Sequence, residues 1–280
     1  MGTANDPNVA VWHRLSEQWD QVGSPFRPTP EDIGFALAAL RSMPNAEQPG
    51  TLTSILLGVT PELAAVLSNT RNFEIDHSIR MLDWSWMKFP RGRLATPIAA
   101  KWTNLPIRDE SVDLVFGDGC NIQLEFPGAY RTWFAEMARV LRPGGLAVLR
   151  VYVSPDTAER STAVIDDLMH GRIGNSNVLR MRLFMALQRQ ASTGIQLSDL
   201  ADYWSSVAID KNFLTAELGW PAAGIDIFDM FRGMNLRYSF PTRSELKITF
   251  SDHFAELERR VPGYEIGSRC PTIVLQKIRR

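Results

Sequence analysis

The sequence predicts an α/β fold, a mostly parallel sheet covered by helices on both faces. Three observations carry this. Short, continuously apolar stretches such as SILLGV (54–59), VDLVFGD (112–118) and LAVLRVYV (146–153) alternate with helix-length amphipathic ones. Strands buried on both faces read as unbroken apolar runs, as in parallel sheets. The strand–helix rhythm is that of βαβ units.

The elements follow in order. VAVWHRLSEQWDQV places apolar residues at 9, 12, 15, 19 and 22, a helical stripe. Three prolines in SPFRPTPEDIG interrupt it. Thr29 then caps a second helix with Pro30 at its first position, and Glu31 and Asp32 meet the positive helix end. SILLGV is the first strand, PELAAVLSN (61–69) a short helix, NFEID (72–76) the second strand and HSIRMLDWSWM the next helix. ATPIAAKW (95–102) supplies a third strand and VDLVFGD a fourth, read as ending at Phe116 with Gly117-Asp118-Gly119 beyond it. YRTWFAEMARVL (130–141) is an amphipathic helix stopped by Pro143-Gly144-Gly145, and LAVLRVYV is the fifth strand. Residues 156–240 read as helical and are rich in Met and aromatic residues, with HGRIGNSN as a loop. TRSELKITFSDHF (242–254) is a capped helix, and the last residues form two strands paired as an edge hairpin. The chain divides into an N-terminal helical lid (1–50), an α/β core (51–155), a helical insertion (156–240) and a C-terminal helix with edge strands (241–280).

Composition narrows the partners. The net charge of −1 over 280 residues gives no field for nucleic acid or an anionic membrane. No apolar run approaches the ~18–20 residues of a membrane span, and the N-terminus shows no apolar signal-peptide core. Cys120 and Cys270 are the only cysteines, which fits a reducing cytoplasm. The four histidines have no metal-ligand spacing, so no metal is expected.

The stretch TSILLGVTPELAA opens the site. A dinucleotide loop uses three glycines to approach a pyrophosphate, but only Gly58 is present. Gly58 supplies a tight turn out of the strand. Thr60 caps the next helix, Pro61 takes its first position and Glu62 its first turn. Asp76 follows Gly58 by 18 positions at the second strand end. An acid about 20 residues after such a loop grips a ribose diol; the alternative is that Asp76 caps the following helix, with Ser78 as competitor.

AAKWTNLPIRDESVDLVFGDG and EMARVLRPGGLAVLRV then complete a pattern. Asp76, Leu105-Pro106, Asp109-Glu110, Val112 to Phe116 and Arg139 to Gly145 together resemble class I S-adenosylmethionine-dependent methyltransferases of the small-molecule type. The resemblance spans about residues 50–153. It implies a Rossmann-like, seven-stranded sheet with an antiparallel C-terminal hairpin, S-adenosylmethionine as cofactor, and a small-molecule acceptor in a pocket built by the insertion after the fifth strand. SPFRPTPEDI and LLGVTPEL also resemble stretches of uncharacterised bacterial methyltransferase-like proteins. Two departures stand out. The first loop lacks the family's acid and further glycines, and Lys101-Trp102 replaces the acid that often touches adenine.

A phosphate-free cofactor tolerates side chains in the loop. The helix start after Gly58 then faces the methionine carboxylate, and Glu62 suits its ammonium group. Trp102 packs on the adenine or in the core. Asp118 contacts the cofactor amino group or the acceptor, and is the one catalytic candidate, with an ordinary turn acid as the alternative. Trp12, Trp19, Phe26 and Arg27 form a lid, with Arg27 facing the methionine carboxylate or the surface. Arg180 and Arg182 fall on different helix faces and form no phosphate clamp by themselves. The expected function is methyl transfer to a small, partly apolar acceptor. The alternative is a non-catalytic protein of the same fold with a degenerate cofactor site and a partner-binding insertion. A nicotinamide enzyme is disfavoured by the missing glycines, and a homodimer is left open.

Overall fold

A computed structural model describes Trp19 and residues 22–279. Trp12, His13 and most of the stripe begun at Val9 lie outside the described residues. The central sheet has seven strands: β1 (Thr53–Leu57), β2 (Arg71–Asp76), β3 (Thr96–Ala99), β4 (Val112–Asp118), β5 (Leu141–Arg150), β8 (Phe254–Arg260) and β9 (Thr272–Lys277). Their spatial order is β3-β2-β1-β4-β5-β9-β8. The first five are parallel, while β9 runs antiparallel to both β5 and β8. The expected hairpin therefore forms, and its second strand lies inside the sheet with β8 at the edge.

Alternate residues of each strand enter different cores, as period-two geometry requires. Ile55, Leu57, Val115, Ala147 and Leu149 pack with the helices Gly128–Val140 and Arg243–Phe250. Leu56, Leu114, Phe116, Leu146 and Val148 pack with the helices Pro30–Arg41 and Pro61–Val66. Burial on both faces explains why these strands read as unbroken apolar runs.

Several boundaries differ from the sequence reading. The helix before β5 ends at Val140, ahead of Pro143. Val112 pairs with Leu141 and Leu114 with Leu146, so Arg142 to Gly145 bulge out within β5. Gly144 takes a φ of +81° there. β4 continues through Gly117 and Asp118, which pair with Leu149 and Arg150. Within the insertion, Ile195–Gln196 (β6) and Arg237–Tyr238 (β7) form a small antiparallel sheet that helical periodicity did not announce.

The insertion has its own core, centred on Phe184, Trp204, Phe228 and Phe240. Its helix Ser176–Leu187 is buried continuously from Ser176 to Met185. It is an internal helix, and Ser176, Asn177, Arg180 and Arg182 are buried along with its apolar residues. No described helix is long and apolar enough to cross a membrane.

Candidate active site

In an open α/β sheet, ligands bind beyond the carboxyl ends of the strands, where strand order reverses. That point lies between β1 and β4 here. A cleft opens there, lined by Gly58, Asp76, Trp102 and Asp118 from the strand ends. Arg180, Phe184, Phe231 and Tyr238 of the insertion form the opposite wall, and Trp19 and Phe26 of the N-terminal segment close a side. The cleft encloses about 1020 Å³ of space, its open mouth included.

Gly58 has φ +86°, the left-handed turn that the lone glycine announced. Its N–H donates to the Ile75 carbonyl at 2.8 Å. A Cβ there would lie 3.7 Å from the Trp102 ring and 4.0 Å from Asp76 Oδ2, in the cleft itself. The Trp102 indole N–H donates to the same Ile75 carbonyl at 2.7 Å. That bond pins the ring as part of the cleft wall and of the core together.

Asp76 closes β2. Its Oδ1 accepts the Ser78 N–H at 2.7 Å, while the Ser78 hydroxyl accepts the Met81 N–H and caps the helix Ile79–Lys88. Ser78 thus takes the capping role, leaving Oδ2 of Asp76 beside Gly58 in the cleft. Burial raises the Asp76 carboxyl above its ordinary value near 3.8, against the pull of the Ser78 N–H and His77.

Thr60 occupies the cap position of the helix Pro61–Val66, but its side chain makes no capping bond. The reason is local: at ψ 107° it lines the cleft and stays buried. The expected side-chain cap at Thr60 is therefore corrected, and the helix it starts has only six residues. Arg27 and Glu62 are joined to each other: the Arg27 Nε donates to Glu62 Oε1. Glu62 Oε2 stays buried without a hydrogen-bond partner, and neither residue lines the cleft.

Asp118 is more deeply held than a turn acid. The Arg150 Nε donates to its Oδ1 at 2.6 Å, and both side chains are buried. Burial pushes the Asp118 carboxyl up while Arg150 pulls it down. The same guanidinium donates to the Pro25 carbonyl at 2.7 Å and to the Tyr264 and Tyr152 hydroxyls at 3.1 and 3.0 Å. Tyr152 donates to the Pro25 carbonyl as well. This cluster fastens the N-terminal segment to the sheet and sets Phe26 edge-on to Tyr152. Gly119, with φ +62°, lets Tyr152 approach; a Cβ there would meet the ring at 2.5 Å.

Arg150, Tyr152 and Asn121, whose side-chain amide bonds both the N–H and the carbonyl of Tyr152, escaped the sequence reading. A charge inside the apolar run LAVLRVYV was the available signal, since a buried arginine requires partners. Cys120 also lines the cleft, but burial raises its thiol, so it is no nucleophile. Among the described residues no three His, Cys, Asp or Glu side chains gather as metal ligands.

Residues 58–149 match a methyltransferase domain family. The chain carries a class I, S-adenosylmethionine-dependent methyltransferase domain. Solved structures agree on the fold at low sequence identity. A Rhodobacter sphaeroides protein described as a zinc-dependent alcohol dehydrogenase aligns over 99% of this chain and 100% of its own, at 13% identity and a TM-score of 0.60. The N-methyltransferase NodS of Bradyrhizobium japonicum, solved with S-adenosylhomocysteine, covers 97% and 99% at 13% identity and a TM-score of 0.55. The 1,6-didemethyltoxoflavin-N1-methyltransferase of Burkholderia thailandensis, solved with its substrate and S-adenosylhomocysteine, covers 98% and 88% at 13% identity and a TM-score of 0.54. No curated protein matches the chain in sequence. The matched residues include Gly58, Asp76, Trp102 and Asp118 of the strand-end wall, while the insertion wall lies outside them.

Proposed function

We propose that this methyltransferase transfers a methyl group to a small, partly apolar acceptor held between the strand ends and the insertion. The observation that carries it is the single cleft shared by Gly58, Asp76 and Trp102 on one wall and Phe184, Phe231 and Tyr238 on the other. The residues present fit the cofactor. Asp76 turns Oδ2 toward the space that a Cβ at Gly58 would fill, which suits a ribose diol, and Trp102 offers a fixed aromatic face to the adenine. Bound S-adenosylmethionine supplies a methyl group already activated by its sulfonium.

The chain's own work is then positioning and exclusion of water. Phe184, Phe231 and Tyr238 pack edge-on and tilted against one another, with ring centroids 5.5–5.6 Å apart from Phe184. Such a wall orients a flat or apolar acceptor. Asp118, the expected catalytic group, is assigned a positioning role, because its carboxylate is spent on Arg150 and through it on the N-terminal segment. Arg27 and Glu62 shape the loop behind the cleft in place of direct cofactor contacts. The polypeptide supplies no unpaired base at the cleft among the described histidines, which fits an acceptor nucleophilic enough to need none.

Calorimetric titration of the purified protein with S-adenosylhomocysteine tests the reading. Saturable 1:1 binding is expected. Absence of binding by a folded sample overturns it in favour of a non-catalytic protein of this fold.

A further inference from the structure

Arg180 lies in the insertion helix Ser176–Leu187, is 3% exposed, and lines the cleft. Its neighbour two residues on, Arg182, is equally inaccessible but pairs with Glu159 and Asp167. Among the described residues no carboxylate pairs with Arg180. Its Nη2 donates to the neutral Asn177 side chain, and its Nε is buried with no hydrogen-bond partner. Its guanidinium carbon stands 5.0 Å from the centre of the Phe26 ring. Burial lowers its pKa to about 10, so it remains a cation at neutral pH.

A buried charge without a counterion is costly, and proteins keep one where a ligand supplies the partner. The rest of the wall states what that ligand looks like. Phe26, Phe184, Phe231 and Tyr238 present aromatic surface around the guanidinium. Of the carboxylates in the cleft, Asp118 is neutralised by Arg150 and Asp76 belongs to the strand-end side. One unpaired guanidinium balances one negative charge, and among the described residues no second cation lines the cleft for a dianion. A planar fork facing a planar oxyanion is the geometry of arginine–carboxylate recognition.

We propose that the acceptor is an aromatic carboxylate, and that Arg180 binds its carboxylate while the aromatic wall holds its ring. This rests on the methyl-transfer reading for the word acceptor, but the anion site itself stands on the geometry of Arg180. The step leaves the carboxylate unchanged: a nucleophilic atom elsewhere on the ring system forms the bond to the methyl carbon, the carbon–sulfur bond breaks, the electron pair stays on sulfur, and the proton displaced from the nucleophile passes to solvent.

The test uses 2-naphthoate and its neutral analogue 2-naphthamide, titrated calorimetrically into wild type with and without S-adenosylhomocysteine. Naphthoate is expected to bind at least tenfold more tightly than naphthamide. R180M is expected to erase that preference, keep S-adenosylhomocysteine affinity within twofold, and melt no lower than wild type, since it removes an uncompensated buried charge. R180K, which keeps the charge without the fork, is expected to retain part of the preference. Equal binding of the two probes by wild type overturns the proposal. So does an R180M that keeps the preference and melts lower, which assigns Arg180 to structure, or one that loses S-adenosylhomocysteine, which assigns it to the cofactor. Failure of wild type to bind S-adenosylhomocysteine overturns the methyl-transfer reading alone, and the naphthoate comparison still decides the anion site.

Discussion

Two buried arginines face each other across the function of this molecule. Arg150, at the end of β5, is 4% exposed and has a carboxylate, a carbonyl and two hydroxyls around its guanidinium. Arg180, in the insertion, is 3% exposed and has one neutral amide and a buried Nε without a partner. The Arg150 guanidinium is thus fully partnered, whereas that of Arg180 meets no carboxylate among the described residues. A completed network is architecture; an unanswered charge marks the place where a ligand takes part.

The comparison is broken most severely at Arg150. Arg150→Met strands Asp118 in the interior and frees the Pro25 carbonyl, and should cost about 3–5 kcal/mol of stability, the scale for removing one partner of a buried ion pair. Urea unfolding checks this, and a loss below about 1 kcal/mol would show that the cluster is not what fastens the N-terminal segment.

Gly58→Val comes next. A β-branched residue at φ +86° is strained, and its Cβ enters the cleft beside Asp76 and Trp102. Affinity for S-adenosylhomocysteine should fall at least about 100-fold, or roughly 3 kcal/mol. Normal binding would make the loop structural only.

Asp76→Ala should weaken S-adenosylhomocysteine by about 1.5–3 kcal/mol, the scale of a hydrogen bond to a charged group. The raised pKa of Asp76 gives a sharper form of the same test. Protonation removes the charge that grips the diol, so affinity should decline on acidification at a pH above the ordinary carboxylate value near 3.8. Stability of the unliganded protein should move the other way. The folded state takes up this proton more readily than the unfolded chain, so protonating Asp76 adds stability as pH falls. Asp76→Asn should flatten both trends, which calorimetry and melting curves across pH would reveal.

The smallest effect is expected at Thr60. With no side-chain cap to lose, Thr60→Gly should change the melting free energy by a few tenths of a kcal/mol. A loss near 1 kcal/mol would mean that the hydroxyl makes a bond absent from this structure.

Much of this was legible in the chain. The parallel sheet, the helices on both faces and the Gly58-to-Asp76 spacing are written in patterns a few residues long, where alternation, caps and turn glycines act locally. Sequence reading also placed the insertion over the strand ends, and Phe184, Phe231 and Tyr238 do line the cleft. It failed where partners are distant. Arg27 meets Glu62 across 35 positions and Arg150 meets Asp118 across 32. Arg180 and Arg182 were read as lying on different helix faces, and that spacing did not reveal that both are buried or that only Arg182 pairs with acids.

The sequence by itself determined which segments become strands and helices, where the first loop turns, and which acid stands at the end of β2. Those outcomes follow from backbone conformations and side-chain periodicities that neighbouring residues impose on one another. Only the tertiary structure decided which charges are answered. Strand register set Asp118 opposite Arg150, and closure of the insertion buried Arg180 with its Nε unpartnered. Pairing depends on distances between residues that the chain separates and folding brings together, and no local pattern encodes them.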